Sequence, residues 1–142
     1  MYDRGDVQVL FLILSGVIQG CPLASFCFAI AFDPFLHMFH ELAETNCGAV
    51  IRACADDIGG VIRSITDLLP IAHVFDCARK FAGLNLKLVK SALVPVMPFT
   101  PQIVDDIRTW LQRYLPSWTQ VAIKPSAKYL GFFHGPLSLD LI

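Results

Sequence analysis

A nearly uninterrupted apolar run from Val7 to Leu14 suits a buried strand, and Ser15-Gly16 ends it. From Pro22 to about Ala43 apolar residues recur at helical spacing, with Pro22 in a first turn where its missing N–H costs nothing. Asp33-Pro34 within that stretch predicts a kink or break, because an interior proline deletes a backbone hydrogen bond and clashes with the turn before it. Two further runs, Ala49 to Cys54 and Ile58 to Ile65, flank Ala55-Asp56-Asp57 and predict a hairpin with two carboxylates at its tip. Thr66 or Asp67 then caps a helix carrying Leu68, Ala72, Phe75, Ala78 and Ala82 on one face, and Gly83 closes it. A strand is expected over Leu84 to Val96. A proline-rich loop, a helix near Gln102 to Leu115 opened by Thr100-Pro101, and two short strands at Val121 to Ile123 and Tyr129 to Phe133 complete the pattern. This order predicts an α+β layer, an antiparallel sheet with helices on one face.

At 142 residues the chain is about one domain, and no repeat or flexible linker divides it. It is 55% hydrophobic and only 16% charged, with a mean hydropathy of +0.58, which excludes disorder and raises the question of a membrane. Run length answers that question. A membrane helix needs about 20 apolar residues, whereas Ser15-Gly16 stops the first run and Asp33-Pro34 and His37 break the second. The mixed-charge start Met1-Tyr2-Asp3-Arg4-Gly5-Asp6 is unlike a secretory signal, so the chain is expected to be intracellular, in nucleus or cytoplasm, and not secreted. Five cysteines form no CxxC pair and are odd in number; they read as reduced, mostly buried thiols. The net charge of -1 provides no basic footprint for nucleic acid, although Arg79, Lys80, Lys87, Lys90, Lys124 and Lys128 cluster in the second half.

Candidate chemistry begins at Gly16-Val17-Ile18-Gln19-Gly20-Cys21-Pro22-Leu23. Glycine lets backbone approach a ligand, and the start of a helix offers free N–H groups and a positive dipole end to phosphates; a plain glycine turn entering a core helix is the alternative. Asp56-Asp57 is by itself an ordinary solvated turn, yet paired carboxylates are what two divalent cations require for phosphoryl transfer. His37, His40 and Glu41 lack metal-site spacing and read as ordinary helix residues. Trp110 and Trp118 read as packing residues, and Asp105-Asp106 as acids favoured at a helix start.

These strings, in this order, resemble the palm of reverse transcriptases of the non-LTR retrotransposon kind. Gln19-Gly20-Cys21-Pro22 resembles the loop-to-helix box called motif B, and Cys54-Ala55-Asp56-Asp57 resembles motif C, with Cys54 where an aromatic residue is usual. Phe81 to Ser91, ending in Lys90-Ser91, resembles motif D, and Lys128-Tyr129-Leu130-Gly131 resembles the string that leads toward the primer grip. The boxes cover about residues 15 to 135 of a single domain, 1–142.

The resemblance implies an RNA-directed DNA polymerase using two Mg2+ or Mn2+ ions, an RNA template, a DNA primer and dNTPs. Asp56 and Asp57 would hold metal and be catalytic; Gln19, Gly20, Pro22 and Lys90 would shape the nucleotide and template pocket. Only 14 residues precede Ser15, so motif A with the first catalytic aspartate, the fingers and the thumb are expected to be missing. A partial palm of this kind is expected to be inactive alone. The rival expectations are a non-catalytic nucleic-acid-binding remnant and a small membrane-associated or structural protein.

Overall fold

The computed structural model describes residues 20–45, 49–55 and 57–136. The expected strand at 7–14 lies outside them. Helices and short ladders alternate as an α+β chain: α1 (Ala24–Glu44), β1 (Val50–Cys54), β2 (Asp57–Val61), α2 (Leu68–Ala82), β3 (Ala92–Leu93), α3 (Pro101–Tyr114), β4 (Ala122–Ile123), β5 (Ala127–Tyr129) and β6 (Phe132–His134).

The core is two helical stripes face to face. On α1 Phe32, Phe35 and Phe39 are buried, and on α2 Ile71, Val74 and Ala78. Each set follows the i, i+3, i+7 spacing of one helix face. Burying a phenylalanine of this kind contributes roughly 1.5–3 kcal/mol. The Phe39 and Phe75 rings meet at 5.2 Å, and Phe75 meets Trp118 at 5.9 Å, which ties the segment after α3 to the same cluster. Both tryptophans pack, Trp110 against Tyr114.

Helix ends follow local chemistry. Ser64 and Asp67 form a reciprocal capping box on a 3-10 turn, Ile65–Asp67, that runs into α2, whose N-cap position is Asp67 as expected while the capping bonds are made at the turn before it. Gly83, at φ 67, takes the left-handed position that ends α2. Thr100 accepts from the Ile103 amide and Pro101 fills the first turn of α3.

Three expectations need correction. Of the kink or break expected at Asp33-Pro34 the break does not occur: α1 is one element from Ala24 to Glu44, with Phe32 and Phe35, on either side of the proline, both anchored in the core. The strand expected over Leu84 to Val96 contracts to Ala92–Leu93. Before it, a 3-10 turn at Leu88–Lys90 forms, and Ser91 Oγ bonds back to the Lys87 carbonyl, a local bond that competes with a ladder. Among the described cysteines none is buried: Cys27 and Cys54 are exposed, Cys21 and Cys77 half-buried.

Among the described residues the strands make three separate two-stranded ladders. β1–β2 and β5–β6 are antiparallel, while β3–β4 is parallel. Among the described residues no helix is long and apolar enough to cross a membrane.

Candidate functional site

The predicted hairpin forms, with Val50 opposite Val61 and the ladder closing on Cys54 opposite Asp57. Side chains alternate across a strand, so the hairpin has two unlike faces. Ile51, Ala53 and Ile58 turn to the α1–α2 core. Val50, Arg52, Cys54, Asp57 and Val61 occupy the other face and are exposed. The helices therefore cover one side, and the Asp57 carboxylate stands on the side they leave open. At the tip Ala55 has φ 52, left-handed backbone that a two-residue hairpin loop demands and that costs an alanine about 1–2 kcal/mol. Asp56 lies outside the described residues, as does Gln19.

The outer face is crossed by one aromatic ring. Tyr129 of β5 donates its hydroxyl to the Arg52 carbonyl at 3.3 Å, a bond spanning 77 positions. Its ring lies so near Gly59 that a Cβ there would stand 2.8–3.0 Å from Cζ, Cε1 and Cε2. Arg52 and Gly59 are cross-strand partners, so both contacts fall on one rung, two residues short of Asp57. Sequence reasoning missed this arrangement. The signal available was Gly59-Gly60 inside a strand, which marks a close approach by another group.

The other candidates stand on separate elements. Gly20, exposed at φ 94, and exposed Pro22 form the turn that enters α1, where the Ala24 amide donates to the Cys21 carbonyl at 3.0 Å. Leu23 offers no side-chain cap, so beyond the Ala24 amide, taken by Cys21, the amides of the first turn of α1 are left to water or to an anion. Lys90 is exposed at the end of its 3-10 turn. Among the described residues no hydrogen bond or ion pair joins Gly20, Pro22, Asp57 and Lys90. Two concavities lie elsewhere: one between α1 and β1, lined by Leu36, Phe39, Ala43 and Ile51, and one beside Pro34 and Phe81. His37 and His40 pair with Asp33 and Glu44 one turn away, as exposed helix residues do.

Of the carboxylates at the hairpin tip Asp57 is the one described. Among the described residues no three of His, Cys, Asp and Glu gather as a metal cluster. Magnesium commonly keeps several waters and binds through one or two carboxylates. Asp57, exposed and on the open face, fits such a hydrated ion and does not form a closed cage.

Over 140 aligned residues the chain is 28% identical to the Transposon TX1 uncharacterized 149 kDa protein of Xenopus laevis. The chain is similar to a part of a transposon protein. The match takes in 89% of this chain and about a tenth, 10%, of that much longer relative. No protein-family model matches the chain, and no solved structure matches it significantly.

Proposed function

We propose that this chain is palm sequence of a retroelement reverse transcriptase, in which the β1–β2 hairpin presents Asp56 and Asp57 to divalent cations. The observation that carries the reading is the two-sided hairpin: Ile51, Ala53 and Ile58 rest on the helices while Asp57 faces outward, free to meet a cation and a nucleotide. Similarity to a transposon protein supports a retroelement origin, and the order of the glutamine-glycine turn, the Asp-Asp hairpin, Lys90-Ser91 and Lys128 to Gly131 supports the palm.

In nucleotidyl transfer the primer 3′-hydroxyl attacks the α-phosphate of a dNTP and pyrophosphate departs. Two bound magnesium ions would supply charge stabilisation at the attacking and leaving oxygens. The chain's own part is to hold the Asp57 carboxylate on an open face, and to offer the first-turn amides of α1 that no side chain caps to an anionic phosphate. Lys90 would neutralise phosphate charge.

The 142-residue polypeptide is expected not to extend a primer on a homopolymer template with Mg2+ or Mn2+, since Asp56 and Asp57 alone leave a two-cation cluster under-neutralised. Extension that Asp56→Asn abolishes would overturn that expectation. The metal reading is tested directly by Mn2+ titration followed by NMR. Paramagnetic broadening is expected to centre on the amides around Asp57 and to vanish in Asp57→Asn; broadening elsewhere, or unaffected by that substitution, sinks the reading.

A non-catalytic nucleic-acid-binding role has one observation in its favour. On the face of the β5–β6 hairpin that carries Lys128, Phe133 is exposed with Lys128 Nζ 6.0 Å from its ring centre, the pairing of aromatic face and cation that single strands stack on. Salt-dependent binding of an oligonucleotide with no Mn2+ effect at Asp57 distinguishes this role.

A further inference from the structure

The two antiparallel hairpins are far apart in sequence and are held together at one rung. A lone two-stranded hairpin is marginally stable in water, and the outer face of β1–β2 exposes Val50 and Val61 at its far end. Across the middle of that face Tyr129 makes a contact of two kinds. Its hydroxyl holds the backbone of β1 at the Arg52 carbonyl, and its ring sits on the backbone of β2 at Gly59, so a single side chain grips both strands. The ring itself is held by its own ladder, where Tyr129 pairs with Phe132 and lies 6.4 Å from His134. Gly59 is the position that makes the grip possible, since any side chain there would occupy the place of the ring.

We propose that Tyr129 is a positioning residue that clasps the β5–β6 hairpin to the outer face of the Asp57 hairpin, with Gly59 kept bare to admit its ring, and so sets where the Asp57 carboxylate stands. Alternation puts Gly59 and Asp57 on the same face, two residues apart. A ring pressed on Gly59 therefore limits twist and splay of β2 directly beside the carboxylate. The inference rests on the metal-binding reading of Asp57.

The clasp and its consequence have separate readouts. By NMR, the α-protons of Gly59 are expected upfield, shielded by the tyrosine ring, in the wild-type chain and in Tyr129→Phe, and at ordinary shifts in Tyr129→Ala. Mn2+ broadening around Asp57 is expected to need roughly tenfold more metal in Tyr129→Ala, the low end of what supporting residues contribute to metal sites. Tyr129→Phe, which keeps the ring, is expected to recover most of that loss. Gly59→Ala, which displaces the ring without deleting it, is expected to match Tyr129→Ala, and the double variant to be no worse than Tyr129→Ala alone. Should Tyr129→Ala fold poorly, Gly59→Ala and Tyr129→Phe carry the comparison. Wild-type Mn2+ response in Tyr129→Ala or Gly59→Ala overturns the clasp while leaving the metal reading intact. Absence of any Asp57-dependent Mn2+ response in the wild-type chain removes that reading, and the clasp's role with it.

Discussion

Among the described residues two that are not glycine, Ala55 and Leu130, hold left-handed backbone at φ 52 and φ 49, each in the loop of a tight hairpin. At Leu130 the next residue, Gly131, also has positive φ, the pairing that a two-residue turn of the primed type requires. Asparagine or glycine is the usual occupant of the first position. Relieving an alanine of about 1–2 kcal/mol of steric cost, less the roughly 0.5–1 kcal/mol that a glycine loses in chain entropy, leaves a net gain. Ala55→Gly is therefore expected to stabilise the chain by about 0.5–1 kcal/mol, read as a higher urea midpoint at unchanged slope. A lower midpoint would mean that Ala55 makes contacts its exposure does not suggest. The turn at Leu130-Gly131 was legible as a family string in the sequence but not as a turn, because leucine is a poor signal for positive φ. Asp57 was legible as a carboxylate at a hairpin. Which face it takes became clear only from the packing of Ile51, Ala53 and Ile58.

Elements whose ends are written in local chemistry were the most readable. Gly83 ends α2 and Thr100-Pro101 opens α3 within a residue of expectation, because a cap acts through its own neighbours. Thr100→Ala is expected to cost about 1 kcal/mol, seen as a fall in α3 helicity and in midpoint. The segment from Leu84 to Val96 was the least readable: a run of alternating apolar and polar residues suits a strand, yet a strand also needs a partner. Only Ala92 and Leu93 have one, in β4. Within α3 Leu111 is 1% exposed. Leu111→Ala is expected to cost about 2–5 kcal/mol, from lost burial and the cavity left behind, and a loss under about 1 kcal/mol would show that α3 is held by something else. Of the Tyr129–Gly59 contact the sequence carried one half, bare Gly59-Gly60 inside a strand, while nothing local to either residue names the other.

For the molecule as a whole, the core is small against its exposed apolar surface. Phe81 is 82% exposed, Val96 85% and Phe132 73%, with Leu23, Phe26 and Ile30 along one side of α1. Charge offers little to oppose association, the net being -1. Sedimentation velocity is expected to show concentration-dependent self-association, together with strong binding of a hydrophobic dye. A monodisperse monomer that unfolds cooperatively in urea contradicts this.

The β3–β4 pair has its own consequence. Its partners Ala92 and Ala122 lie about thirty positions apart along the chain, and the intervening residues include all of α3. The ladder's own bonding and the flanking bonds from the Ala122 amide to the Ser91 carbonyl and from the Lys124 amide to the Leu93 carbonyl close that excursion. When this latch and the Trp118–Phe75 contact let go together, the span they hold is freed as a unit, so amide deuteration and protease nicking there should share one opening rate, faster than that of the α1–α2 interior.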